Sequence, residues 1–438
     1  MTGILLRHIR ACKGIIPVHI KRVELEGFRG ISRLAMNFNR DITVLIGRNG
    51  IGKTSVLDAM ACVLTSVQRI WPTEDGPGLL LNIPLEAKDR KIGQNDGSVK
   101  VTFELDWLLR SGLALTEASV GTTFSHNKTG QIAPSLYDFW KLLESADLRD
   151  QPRTLMVYYR QDRGFENSTY PSTGSVVQQV INTSLQGDLQ ALSNLQAWWD
   201  KRDAEEARNV RDRDPAFRDP QLEAIRAVIT EIDGFEAISF SSTSNDEGLF
   251  LKKVTGDYIH ISKLSSGEKS FIILLADLGR RLQVISPFEK LSEISGIVLI
   301  DEIELNLHPH WQSKIIPTLR RVFKSCQFII TTHSPQVVSA IDSDHVKIMH
   351  LDENGVVDVQ KPLRTKGQTS NYLLEGVFGA SERYPESDNL IEDFNIAIDR
   401  KEFSRAEELL EKITRSIEGE PPEILVLRKR LDKLQANR

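Results

Sequence analysis

The sequence is short of several things, and each shortage excludes a class of protein. Only three cysteines occur, Cys12, Cys62 and Cys326, far apart and never as a CxxC pair. That spacing supports neither a zinc ribbon nor a disulfide framework, and it suits a reduced, cytoplasmic compartment. No apolar run approaches the ~18 residues that a membrane-spanning helix needs, so no membrane partner is expected. At the start of the chain Arg7, Arg10 and Lys13 break up the apolar residues, which excludes a secretory core there. There is no excess of positive charge: 55 Lys and Arg stand against 60 Asp and Glu. A chain that gripped DNA with its whole surface would be basic, so nucleic-acid contact would have to come from a local patch. No long heptad run and no helical repeat array occur either, which excludes an extended coiled coil and a solenoid.

What is there reads as ordinary globular protein, 40% hydrophobic and 26% charged over 438 residues, with room for two or three domains. Residues 18–26 alternate as a strand and meet a Gly27-Phe28-Arg29-Gly30 turn. Asp41–Ile46 is a nearly continuous apolar run, as in a buried strand. Val99, Val101, Phe103 and Leu105 alternate with polar residues, which predicts a half-buried strand. From about 107 to 235 the pattern is mostly helical, and the Arg-, Asp- and Glu-rich stretch 200–218 reads as a solvated face. Strand and helix then alternate through 297–341, which argues for an α/β sheet. A hairpin with an Asn354-Gly355 turn follows. In the tail, three short amphipathic helices are predicted, with Leu390, Phe394 and Ile398, then Ala406, Leu410 and Ile413, then Ile424, Leu427, Leu431 and Leu434 on their apolar faces.

Four motifs carry chemistry. Gly47-Arg48-Asn49-Gly50-Ile51-Gly52-Lys53-Thr54, followed by Ser55, fits the G-x-x-x-x-G-K-[ST] phosphate loop and lies between a predicted strand and helix. Its glycines let the backbone curl so that N–H groups face phosphate oxygens, and the helix N-terminus adds partial positive charge. Lys53 offsets the β- and γ-phosphates of ATP, and the Thr54 hydroxyl suits Mg2+. Ile297-Val298-Leu299-Ile300 runs into Asp301-Glu302, two carboxylates at a strand's carboxyl end, where open α/β sheets bind ligands. Asp301 is the candidate metal carboxylate, and Glu302 the residue that polarises attacking water. Leu264-Ser265-Ser266-Gly267-Glu268 opens a helix; alone it is only an N-cap. His333 follows the apolar strand Phe328–Thr332; alone it reads as a structural histidine.

The order of these motifs resembles that of ATP-binding-cassette ATPases. The resemblance implies an α/β head of mixed sheet and flanking helices, with a helical insertion and a C-terminal helical extension. It makes Ser265, Ser266, Gly267 and Glu268 the signature segment, Glu304–Pro309 the D-loop, His333 the switch histidine and Gln161 a weaker candidate for the metal-touching Q-loop glutamine. It further implies a homodimer that sandwiches two ATPs, with Ser266 and Gly267 completing the partner's site. The implied divisions are 1–106 and 249–365 for the two parts of the head, 107–248 for a mainly helical insertion and 366–438 for a partner-docking region.

Residues 23–31, 305–312 and 331–338 are similar to the RecF/SMC-like branch, and the motifs with the tail 371–387 resemble the Septu anti-phage ATPases and their retron-encoded relatives. That resemblance implies a separate HNH-type nuclease partner, with DNA or a retron RNA–DNA product as further candidate ligands. Two alternatives stay open: a RecF-like repair ATPase that binds DNA directly, and a nucleotide-bound scaffold with little turnover. Basic clusters at 7–22, at Arg320, Arg321 and Lys324, and at Arg428–Lys433 single out no nucleic-acid site, because such clusters are usually solvated faces.

Overall fold

The computed structural model describes residues 18–70, 89–94, 96–108, 114–125, 138–139, 141, 154–161, 176–185, 191–243, 246–379, 385–416 and 422–436. Two compact units are present, Met1–Gln368 and Thr369–Arg438. The first opens with strands β1 (His19–Phe28), β2 (Ile31–Asn37) and β3 (Ile42–Gly47) and helix α1 (Lys53–Ile70). Strands β4 (Asp96–Leu108), β5 (Ala114–Ser125) and β6 (Leu155–Tyr159) come next, then helices α2 (Val176–Ser184), α3 (Ala191–Asp212) and α4 (Pro220–Thr230). After β7 (Phe235–Thr243), β8 (Asp246–Lys253) and β9 (Tyr258–His260) comes α5 (Ser266–Ile285). The unit ends with β10 (Gly296–Ile300), α6 (Pro309–Val322), β11 (Cys326–Thr331), α7 (Pro335–Ser339), β12 (Val346–Leu351) and β13 (Val357–Gln360).

These strands make three sheets. One is antiparallel, in the order β2-β1-β4-β5, and a small one has the order β7-β8-β9. The central sheet has the order β13-β12-β3-β11-β10-β6 and is parallel except for the β12–β13 hairpin. Parallel strands need helical crossovers that cover both faces, so their sequences run apolar throughout. All residues of β3, β6, β10 and β11 are accordingly buried. In β4, Val99, Val101, Phe103 and Leu105 are buried together, as their alternation predicts. They join one core with β1, β2 and the apolar face of α1. Because the parallel strands share a direction, β3, β11, β10 and β6 end on the same edge of the sheet.

The stretch 107–248 contains helices α2, α3 and α4, but it also supplies β5, β6 and β7. The mostly helical reading misses β5 because, among the described residues, it pairs with β4 alone and its sequence is largely polar. It misses β6 because five apolar residues carry no usable period. The charged stretch 200–218 is chiefly the end of α3, where Arg226 bonds Glu206 and Glu223 and Arg202 bonds Asp219, the N-cap of α4.

The second unit holds α8 (Ser370–Gly376), α9 (Pro385–Asp399), α10 (Phe403–Ser416) and α11 (Pro422–Ala436). Phe394, Ala397, Ile398, Ala406, Leu409, Leu410, Ile413, Ile424 and Leu431 form its core. The helical spacing predicted most of this face; Leu434 is the exception, on the exposed side of α11. Phe394 is fully buried at the centre of this small core. Its truncation to alanine should cost about 3 kcal/mol or more, the usual loss for a buried ring. Hydrogen exchange should then accelerate across 385–436 while protection of β3, β10 and β11 is unchanged.

Candidate functional site

Three of the motifs, the phosphate loop, the Asp301-Glu302 pair and the His333 segment, meet at the carboxyl edge of the parallel sheet, while the Ser265–Glu268 segment packs on the stretch that follows Glu304. β3 ends at Gly47, whose φ of 148° lies in a region that side chains avoid. A Cβ there would also sit 2.4 Å from the Met349 carbonyl on the neighbouring strand, so only glycine fits the exit from β3. The loop curls back on its own lysine: Lys53 Nζ donates to the Gly47 carbonyl at 2.9 Å and to the Arg48 carbonyl at 3.1 Å. Lys53 is buried, and burial pulls its ammonium pKa down while Asp301, Glu302 and Glu304 pull against that shift. Arg48, Asn49 and Gly50 are exposed on the loop, Ile51 and Gly52 half-buried, and Thr54 and Ser55 begin α1.

β10 delivers the carboxylates. The Thr54 hydroxyl donates to Asp301 Oδ2 at 2.8 Å, joining the phosphate-loop helix to β10. The Thr331 hydroxyl, at the end of β11, donates to Asp301 Oδ1 at 2.5 Å and accepts from the Glu302 N–H at 2.8 Å. Glu302 itself has a left-handed φ of 44°, uncommon for a residue with a side chain. The Thr331 bond holds that conformation, which turns the chain sharply just after the metal-type carboxylate. Glu304 then reaches back to β11, accepting from the Thr332 hydroxyl at 2.7 Å and from the His333 N–H at 2.5 Å. His333 is half-buried; burial and the Lys53 charge push its pKa below 6.5, against the pull of Glu304, Glu302 and Asp301.

The signature segment is held by a capping box. The Ser265 hydroxyl accepts from the Glu268 N–H, and the Glu268 carboxylate accepts from the Ser265 N–H. Lys253 bonds the same carboxylate at 2.8 Å. Ser265 and Ser266 face solvent while Gly267 is buried. A Cβ on Gly267 would lie 3.0 Å from the Asn306 carbonyl and 3.1 Å from the His308 N–H, so glycine permits the helix to pack on the D-loop segment. Gln161 is exposed one residue beyond Arg160, just past the end of β6.

Sequence reasoning gave no individual role to Thr331, Glu304, Asp58 or Tyr158. Asp58 lies on α1, one turn beyond Thr54, and accepts from Tyr158 Oη at 3.0 Å, from Arg160 Nη2 at 3.2 Å and from Arg29 of the β1–β2 turn. No motif flags it, though a carboxylate on the buried side of a helix is itself a signal. The second basic cluster is largely offset: Arg320 pairs with Asp41 and Arg321 with Glu231. Burial pushes the Cys62 and Cys326 thiols up to about 12. Cys12 and most of the first basic cluster lie outside the described residues.

ATP and a hard cation both suit this set of groups. Backbone N–H groups of a curled loop and Lys53 match phosphate oxygens, and the Thr54 hydroxyl with the Asp301 carboxylate are the oxygen donors Mg2+ takes, phosphates and water supplying the rest. Among the described residues no three His, Cys, Asp or Glu side chains converge on one point, and no helix is long and apolar enough to cross a membrane.

A phosphate loop, a strand-end carboxylate pair and a parallel sheet joining them define a nucleoside-triphosphatase. The chain belongs to the family described as "AAA domain, putative AbiEii toxin, Type IV TA system", whose model matches residues 42–339. It is 27% identical over 435 residues to the "Retron Ec83 probable ATPase" of Escherichia coli, covering 84% of this chain and 78% of that protein. It is 24% identical over 395 residues to the "Septu protein PtuA" of Bacillus thuringiensis, covering 87% of this chain and 90% of that one. A crystal structure of the Smc head bound to the C-winged helix domain of ScpA matches with a TM-score of 0.46 at 15% identity, covering 78% of this chain and 98% of that chain. The protein is an ATP-binding ATPase related to Septu PtuA and the retron ATPases.

Two outcomes test this geometry. Thr331→Val keeps the shape but removes the hydroxyl shared by Asp301 and Glu302; ATP turnover should fall about tenfold or more while ATP affinity changes little. Unchanged turnover would show that the bridge is dispensable. In an NMR titration the His333 imidazole should titrate below 6.5 in the nucleotide-free protein. The sign follows: unfolded chains bind the proton first, so His333's contribution to stability is present above the unfolded value and is lost as pH falls through the folded one.

Proposed function

We propose that this chain is the ATPase subunit of an anti-phage defence complex, hydrolysing ATP at seams between two of its copies and so controlling a separate nuclease. The observation that carries the reading is the Thr54–Asp301 clasp, with Lys53, Glu302 and His333 around it. In this reading Gly47–Ser55 cradle the triphosphate, Lys53 offsets the β- and γ-phosphate charge, and Thr54 with Asp301 hold Mg2+. Gln161 lies at the end of a parallel strand, where it can reach the same cation through a water. Glu302 orients the attacking water and His333 senses the γ-phosphate. That division of labour fits phosphoryl transfer, in which positioning and electrostatics do most of the catalysis.

Ser265, Ser266, Gly267 and Glu268 serve the other copy's nucleotide. Support comes from the exposure of Ser266 at the N-terminus of α5, beside the capped Ser265, which leaves a helix N-terminus open to an anion. The γ-phosphate then bridges two chains, and its loss on hydrolysis loosens them, a ligand-driven switch. The helical region 366–438 is the docking surface for the nuclease, of the HNH type that accompanies the Septu ATPases the sequence resembles. Its compact core, independent of the sheet, supports a separate role. DNA or a retron RNA–DNA product is a further candidate ligand of the complex.

The test uses Glu302→Gln and Lys53→Ala. With ATP and Mg2+, Glu302→Gln should release phosphate about 100-fold more slowly and accumulate as a dimer or larger even-numbered assembly by light scattering. Lys53→Ala should bind ATP too weakly to assemble. An E302Q chain that keeps the same mass with and without ATP would overturn the sandwich. Co-purification with a co-expressed HNH-type nuclease, lost when 366–438 is deleted and the 1–365 part still binds ATP, is the expected result for docking.

A further inference from the structure

Two adjacent tyrosines at the end of β6 are buried on opposite faces of the sheet, as consecutive strand residues must be. Each hydroxyl reaches a carboxylate on a different helix. Tyr158 Oη donates to Asp58 Oδ1 at 3.0 Å, on the helix that begins at Lys53. Tyr159 Oη donates to Asp277 Oδ2 at 2.9 Å, on the helix that begins at Ser266. Asp277 is wholly buried and also takes Arg280 Nη2 at 2.6 Å and Arg281 Nε at 2.7 Å. Arg281 in turn bonds the Thr183 and Ser184 hydroxyls of α2, each at 3.1 Å. The backbone carbonyl of Tyr159 accepts the Asp301 N–H at 2.8 Å. One dipeptide thus touches the phosphate-loop helix, the signature helix and the strand end that bears the carboxylates. Phenylalanine would fill either space as well, and a buried polar contact is weak evidence for stability, so register is its better explanation.

We infer that Tyr158 and Tyr159 are positioning residues for different halves of the ATP site, Tyr158 fixing the phosphate-loop helix of its own copy and Tyr159 fixing the signature helix that serves the other copy. The inference rests on the two-copy reading above. It assigns the neighbouring tyrosines to opposite complementation groups. Tyr159→Phe acts with Ser266, and Tyr158→Phe acts with Lys53.

The experiment measures ATP turnover of full-length chains, alone and in equimolar mixtures. Tyr158→Phe and Tyr159→Phe should each melt within a few degrees of wild type and each lose about tenfold in turnover, a misplacement effect. A control mixture of Lys53→Ala with Ser266→Arg should regain one working site per mixed pair. Lys53→Ala mixed with Tyr159→Phe should be rescued likewise, because the intact site pairs a normal phosphate loop with a normal signature. Ser266→Arg mixed with Tyr159→Phe should not. The pattern should invert for Tyr158→Phe, rescued by Ser266→Arg and not by Lys53→Ala. Failure of the control sinks the two-copy reading and this inference with it. A working control with both tyrosine variants in one group, or with full turnover in either variant alone, overturns the tyrosine assignment only. General loss of folding cannot imitate the pattern, since an unfolded chain complements neither partner.

Discussion

The parallel pairing of β3, β11 and β10 is the constraint from which the site follows. Phe328 lies opposite Ile42 and Val298 opposite Phe328, so the three strands run in step and end within a residue or two of each other. Their ends carry Gly47, Thr331 and Asp301. Nothing in the loops has to search for this arrangement, because the backbone ladder sets it before any side chain acts. The side-chain bonds then refine it. Thr54 joins the β3 side to β10, and Thr331 joins β11 to β10, both through one carboxylate. Asp301 therefore spends both oxygens on holding two neighbours in place, with the left-handed turn at Glu302 following directly.

The chain places polar groups where most proteins of this kind of packing would place apolar ones. Asp277, Arg280 and Arg281 are buried in α5, and Asp58 and Tyr158 in the core beside α1. Removing a charged member of such a set strands its partner's charge, whereas replacing the whole set by apolar residues is often neutral. What the polar set does that an apolar one cannot is discriminate between neighbouring registers: a leucine slides, a bidentate arginine on a carboxylate does not. Both polar sets in this unit touch β6, and both involve a helix that starts at a proposed nucleotide-binding segment. Their placement follows the site and not the centre of the core.

Most of the sheet was legible because its strands announce themselves. Ile42–Ile46, Ile297–Ile300 and Phe328–Thr331 are apolar runs that stop at chemically loaded residues, and each proves to be a strand. The tail helices were legible through their spacing. β5 and β6 were not. An edge strand can be polar on both faces, and a five-residue apolar run has no length in which to show a period. Missing β6 had a consequence for the site. Without it the Tyr158-Tyr159-Arg160-Gln161 run looks like a weak motif in a helical stretch, and only the sheet shows that it ends beside Asp301. Thr331 and Glu304 escaped for another reason: their bonds join segments 29 or so residues apart, and no local pattern encodes a partner at that range.

Charge sets the last constraint on how the site works. Asp301, Glu302 and Glu304 all act on Lys53, one ammonium that burial already discourages from holding its proton. A triphosphate adds several negative charges to that surplus. Backbone N–H dipoles offset part of it, but they carry only partial charge. A nucleotide entering alone would be repelled by the same carboxylates that the chemistry needs, so the arrangement favours one that arrives with a divalent cation already on its phosphates. In the proposed reading such a cation would make Asp301 a ligand where it is otherwise a source of repulsion, and would leave Glu302 to the attacking water.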